Sequence, residues 1–176
     1  PGMTVASVGT ELDLEGVSIM MLEDAFDLEL GRTYIEDPTD RFTAPLTGAT
    51  DLLIEQVSDV QEVVQSGEIV PVLTLWSSRP TGFEDVPAVT EYDSGFQPLV
   101  RMRGIAALPQ VPEDRLEFLQ GAFREAFQSA AFQAHLSENA LDVVDYPDDP
   151  VEAFREQVQI YQDFYCSTLG LGCPPD

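Results

Sequence analysis

The sequence predicts an α/β fold: a parallel-rich mixed sheet flanked by helices, followed by a helical C-terminal segment. Three observations carry this. Up to about residue 100, short apolar runs closed by glycine or proline alternate with longer amphipathic stretches, the rhythm of strand–helix units. From about residue 109 onward the apolar residues recur at helical spacing. Apolar residues make up 44% of 176, enough to bury a sizeable core and too many for an acidic disordered tail.

Thr4–Val8 reads as a short strand ending at Gly9. Asp13–Leu30 reads as a helix, with Leu14, Val17, Met21, Ala25 and Leu28 spaced by three and four and Gly31 as its stop signal. Thr33–Ile35 is a brief strand, and Pro45 belongs to the first turn of a short helix or to a turn that Gly48 breaks. Asp51–Gln56 is a strand; Ser58 caps a helix over Asp59–Gln65, which Gly67 ends. Ile69–Trp76 reads as a strongly apolar strand at the centre of a sheet. Ser77–Gln97 is a loop rich in proline and glycine, and Gly104–Leu108 a further strand. Pro112 opens a helix whose Leu116, Leu119, Phe123 and Phe127 share a face. A shorter helix covers Ala130–Asn139, Leu141–Tyr146 is a last strand, and Pro150 opens a helix with Phe154, Val158, Tyr161 and Phe164 or Tyr165 inward.

The charge excludes whole classes of partner. Eight Lys+Arg stand against 32 Asp+Glu, a formal charge of −24, and all eight basic residues are arginine. Such a surface repels phosphate backbones and anionic headgroups, so nucleic acid is not a partner. No apolar run approaches the roughly 20 residues of a membrane span. The chain opens Pro1-Gly2-Met3 without a signal peptide, as a processed protein or a piece of a longer one would. Excess carboxylate without lysine is the composition of proteins from very salty habitats, where salt screens self-repulsion within a few ångström.

Catalytic chemistry finds little purchase. His135 is the lone histidine and sits among polar neighbours on a helix, so a metal centre or a Ser-His-Asp triad has nothing to build on. No phosphate-binding glycine motif or EF-hand loop occurs, and no cofactor is expected. Cys166 and Cys173, with six residues between them, exclude a CxxC motif. In an oxidising compartment they close a small disulfide loop, the reading favoured here; in the cytoplasm they stay thiols. Val8-Gly9-Thr10-Glu11 is more informative. A strand ends, a glycine turns the chain and a helix begins, which exposes backbone N–H groups at a positive dipole end. That suits a carboxylate, although Thr10 or Asp13 could use the same amides as a plain helix cap. Trp76, at a strand end, suits a cleft wall or a core anchor.

Gly67-Glu68-Ile69-Val70-Pro71-Val72-Leu73-Thr74, then Arg79, then Asp85-Val86-Pro87-Ala88-Val89-Thr90-Glu91 and Gly95, form an ordered series. Gly104-Ile105-Ala106-Ala107-Leu108-Pro109-Gln110-Val111-Pro112 continues it into an amphipathic helix; upstream lie Ser7-Val8-Gly9-Thr10 and Gly48-Ala49-Thr50-Asp51. Together they resemble the substrate-binding proteins of tripartite tricarboxylate transporters, the Bug or TctC family. Ala88 replaces the usual threonine, Tyr34-Ile35-Glu36-Asp37 lacks the family's glycines, and Glu11 stands where small residues are usual.

The resemblance implies one lobe of a type 2 periplasmic binding protein fold. Residues 1–100 would be the second, ligand-binding lobe. Residues 101–165 would be a crossover strand and C-terminal helices belonging to the first lobe, and residues 166–176 a tail. It implies a non-enzymatic, extracytoplasmic receptor, periplasmic or at the cell surface and with or without a lipid anchor in its full-length precursor, that captures a small carboxylate for membrane transporter subunits. By the family pattern Gly9, Thr10, Glu11, Tyr34, Gly48, Ala49, Thr50 and Asp51 line the second-lobe half of the cleft. The opening half of the first lobe has no counterpart in the chain, so self-association or a partner chain would supply it. The rival expectation is an interaction or structural module that assembles with itself or another chain.

Overall fold

The computed structural model describes residues 2–139, 141 and 149–171. Three parallel strands form a sheet: β1 (Thr4–Ser7), β2 (Gly31–Tyr34) and β3 (Leu52–Leu53), in the order β2-β1-β3. Val5 and Ala6 of β1 pair with Arg32 and Thr33 on one side and with Leu52 and Leu53 on the other. The ladder continues past the strands, because Ile35 N–H donates to Ser7 O (2.9 Å) and Ile54 N–H to Ala6 O (3.0 Å). The chain leaves β1 through α1 (Leu14–Phe26) to one side, then returns through α2 (Pro38–Leu46) to the other. Right-handed crossovers in opposite directions place the two helices on opposite faces and leave the carboxyl end of β1 as the point where connections diverge.

Several elements differ in their bounds from the sequence prediction for identifiable reasons. Helix α1 ends at Phe26, not Leu30, because Asp27 takes the left-handed conformation (φ 50°) and its N–H closes on Glu23 O. The Glu23 side chain then accepts Leu30 N–H (2.8 Å), and Gly31 begins β2 instead of stopping the helix. Helix α2 starts at Pro38, capped by Asp37, so Pro45 lies near the helix's end and not in its first turn. Helix α3 (Val57–Gln65) is preceded by Gln56, and Ser58 lies inside it instead of capping it.

Ile69–Trp76 is not a strand. Pro71 lacks the N–H a central ladder needs, Val70 and Val72 are exposed, and the segment makes only an isolated parallel bridge between Thr74 and Ala88. Gly104–Leu108 is likewise unpaired among the described residues, with Ile105 and Leu108 exposed. Of the last predicted strand, Leu141 has no regular structure and residues 142–146 lie outside the described residues.

The core joins α1 to the last helix, α6 (Pro150–Leu169): Val17 and Met20 bury against Leu99 and Phe164, with Ile160, Tyr161 and Leu169 around them. Thus α6 packs on α1, within the predicted second-lobe region, whereas α4 (Glu113–Gln128) and α5 (Ala130–Glu138) bury no residue in it. The predicted face of α4 forms, yet Leu119 and Phe123 remain exposed, and Phe127 meets Phe132 of α5 at 5.6 Å.

The 79–91 loop is closed by charge. Arg79 grips Glu91 through Nε (2.7 Å) and Nη2 (2.8 Å), and Glu91 also accepts Ala88 N–H (2.9 Å). Hydrogen bonding to Arg79, then to the Ala88 amide, holds the Glu91 carboxyl down at about 2 against an ordinary 4.5. A depressed carboxylate stabilises the fold above its unfolded pKa, and that stability is lost as pH falls through the folded value. Glu91→Gln is therefore expected to melt below the unsubstituted protein at pH 6, with the gap closing between pH 4.5 and about 2; melting scans across that range check it.

Candidate functional site

Both ends of β1 carry residues that the sequence marks for a site, and the structure separates them. Gly9 follows the carboxyl end of β1, with φ 78°. Only glycine adopts this region without strain, and a Cβ here would also lie 2.2 Å from Asp13 Oδ2. Thr10 N–H donates to that carboxylate (2.7 Å). Glu11 turns away to Arg32 Nη1 (2.6 Å), and Arg32 Nη2 is held by Glu23 of α1. Tyr34 ends β2 beside Ser7, its hydroxyl pushed up in pKa by burial against the pull of Arg32. Gly9, Thr10, Glu11 and Tyr34 therefore share the carboxyl end of the sheet.

Gly48, Ala49, Thr50 and Asp51 do not join them. They precede β3, and in a parallel sheet that places them at the amino end. Asp51 accepts from Thr4 N (2.8 Å) and Thr4 Oγ1 (2.9 Å) and donates its own N–H to Thr4 O (3.0 Å). Four residues of β1 intervene, roughly 10 Å of strand. The Gly48–Asp51 turn staples β3 to the start of β1, so the expectation that it shares a cleft wall with Gly9 is corrected.

The carboxyl end of β1 opens onto a cleft of about 950 Å³, bounded by the Val8–Glu15 turn, the Val100–Met102 segment and α6. Arg101 reaches across to Glu15, whose side chain is only 5% exposed, while Arg101 itself stays 40% exposed. Tyr165 Oη donates to Leu12 O (2.8 Å), tying α6 to the turn. Tyr161 and Tyr165 stack with centroids 6.0 Å apart. Burial first, then the neighbouring Tyr165, Glu15 and Asp13, pushes the Tyr161 hydroxyl up to about 12. Ser7, fully buried at the end of β1, has an Oγ without a hydrogen-bond partner among the described residues.

The sequence places Tyr161, with Phe164 or Tyr165, in an inward stripe and offers Thr10 or Asp13 as the helix cap; nothing local marks Arg101 as facing the turn. His135 lies exposed on α5, beside Phe132. Trp76 does not line the cleft. Cys166 sits in the last turns of α6, and its predicted partner Cys173 lies outside the described residues. Among the described residues no cluster of metal-binding side chains occurs, and no helix is long and apolar enough to cross a membrane.

A parallel α/β sheet with a glycine turn and an open cleft at the carboxyl end of its central strand is the arrangement in which open α/β sheets hold ligands. The model of the tripartite tricarboxylate transporter family receptor, TctC, matches residues 6–160, and the chain belongs to that family. No curated protein matches it. Among solved structures, a TctC solute-binding protein from Polaromonas, crystallised without ligand, shares the fold with a TM-score of 0.71 at 16% identity. The match covers 96% of this chain and 57% of that one, so the chain spans little more than half the length of its solved relative.

Proposed function

We propose that this chain is the second lobe and return segment of an extracytoplasmic solute-binding protein. It captures a small carboxylate and passes it to the membrane subunits of a tripartite tricarboxylate-type transporter, without catalysis. The observation that carries this reading is the Gly9 turn at the carboxyl end of β1, facing a cleft with the half-exposed Arg101 on its wall. Family membership and the fold of the Polaromonas protein support it. In this reading α4 and α5 belong to the first lobe, and the remainder of that lobe covers their exposed Phe118 and Phe123. The test is calorimetry on the full-length protein with a panel of di- and tricarboxylates and amino acids. At least one is expected to bind, and Gly9→Ala to weaken it about tenfold or more; a panel without binding overturns the proposal.

The uncovered face of α4 favours a second reading, an assembly module. A defined oligomer by light scattering, with no ligand response, would select it.

The acidic composition supports a salt-rich setting. Eight arginines can neutralise at most eight of 32 carboxylates. The melting temperature is expected to rise steadily between low and molar KCl, by about 2–4 °C for each kcal/mol of repulsion relieved. A flat response would remove this reading.

A further inference from the structure

The cleft at the end of β1 joins one anion and one cation that come from different parts of the chain. Arg101 belongs to the segment entering the helical region, and among the described residues its partner Glu15 Oε1 engages Nη2. A guanidinium carries five N–H donors, so this half-exposed side chain keeps donors for a bound carboxylate. Asp13, on the turn, accepts Thr10 N–H and has no cationic partner among the described residues. The nearby guanidinium groups are committed elsewhere: Arg32 to Glu11 and Glu23, Arg101 to Glu15. Asp13 and both tyrosine rings of α6 line the same cleft, and Tyr165 ties α6 to the turn that carries Asp13 through Leu12 O.

Resting on the receptor reading above, we infer that the captured solute carries an ammonium group beside its carboxylate. The carboxylate goes to Arg101, and the ammonium to Asp13 against the faces of Tyr161 and Tyr165. A solute with only negative charges would have to bring one of them toward Asp13 in a chain that already carries −24. One amide of the turn, Thr10 N–H, is taken by Asp13, so the solute's carboxylate looks to Arg101 and the acid of Asp13 is left to face a cation. Stacked aromatic rings beside an acid are the surroundings an ammonium prefers.

The experiment is calorimetric titration of the full-length protein with matched pairs that differ only in the α-ammonium group. The pairs are glutamate and glutarate, leucine and 4-methylpentanoate, and phenylalanine and 3-phenylpropionate. In whichever pair binds, the amino acid is expected to bind about tenfold or more tightly than its deaminated twin. Asp13→Asn keeps a side-chain oxygen to accept Thr10 N–H and should reduce that preference to about twofold or less, while Arg101→Gln should weaken both members of the pair. A deaminated twin that binds as well or better overturns the inference and leaves the receptor reading standing. An undiminished preference in Asp13→Asn overturns the assignment to Asp13. Should that variant not fold, the matched pairs on the unsubstituted protein decide alone. If none of the six compounds binds while a di- or tricarboxylate of the wider panel does, the inference falls and the receptor reading stands; if nothing in either set binds, both fall.

Discussion

Arg41→Met is expected to cost about 3–5 kcal/mol, a fall in melting temperature on the order of 10 °C. Arg41 lies in the first half of α2 and is 5% exposed. Its Nε binds Glu55 Oε2 at 2.6 Å, and Nη1 donates to Ile35 O (2.8 Å) and Glu36 O (3.1 Å). Ile35 and Glu36 follow β2, and Glu55 follows β3, so one guanidinium gathers the exits of both flanking strands around the carboxyl end of β1. Glu55 has a side-chain exposure of 3%. Methionine fills much of the volume but leaves that carboxylate buried without its cation, and leaves two carbonyls without a donor. The cost of such an orphaned charge exceeds the modest net worth of the pair itself. Two further variants separate these terms. Arg41→Lys keeps charge without the planar fork and should fall between the two. The double variant Arg41→Met with Glu55→Leu should recover part of the loss, because it removes the stranded acid. Thermal melts of the four proteins check the order; a single variant as stable as the double would show that Glu55 is not stranded.

How far the sequence spoke depends on whether the physics was local. Strand β1, α1 and the glycine turn follow from short-range pattern: apolar run, Gly9, then apolar residues at helical spacing. Their carboxyl-end placement follows from parallel topology alone. The Gly48–Asp51 turn was misplaced because resemblance assigns residues to a site without saying on which side of a strand they stand. It lies before β3, and the direction of the strand sends it to the opposite end. Arg79 and Glu91 belong to the series that resembles the family, yet in the structure they close a loop on each other. Arg101 was silent because its partner is 86 residues away. The Ile69–Trp76 run failed as a strand because apolar character does not supply a neighbour to pair with, and Pro71 removes a donor.

Gly16 sets the position of the Gly9 turn itself. It stands in the first turn of α1, buried, and the turn folds back over it. A Cβ at this position would lie 2.5 Å from both Thr10 O and Glu11 O and 2.7 Å from Glu11 C. Ordinary carbon–oxygen contacts are about 3.3–3.6 Å, and these are backbone atoms that cannot swing aside as a side chain would. Two effects oppose each other in Gly16→Ala. Alanine favours a helix interior by up to about 1 kcal/mol, and overlap of this kind costs about 1–3 kcal/mol. With two carbonyls nearly 1 Å too close, overlap wins, and the melting temperature is expected to fall by several degrees. The relaxation has a direction: residues 10 and 11 must lift off α1, which pulls Thr10 N–H from Asp13 and Glu11 from Arg32. Solute binding should weaken with stability, because the turn and its carboxylate move together. Gly121→Ala is the matched control, since it lies in α4 with nothing within 4 Å of the added carbon. There only the propensity term operates, and the substitution should raise the melting temperature slightly. Opposite signs for these two glycine-to-alanine changes, read in one set of melts, would assign the difference to the turn pressed against Gly16; equal signs would mean that the turn yields without cost.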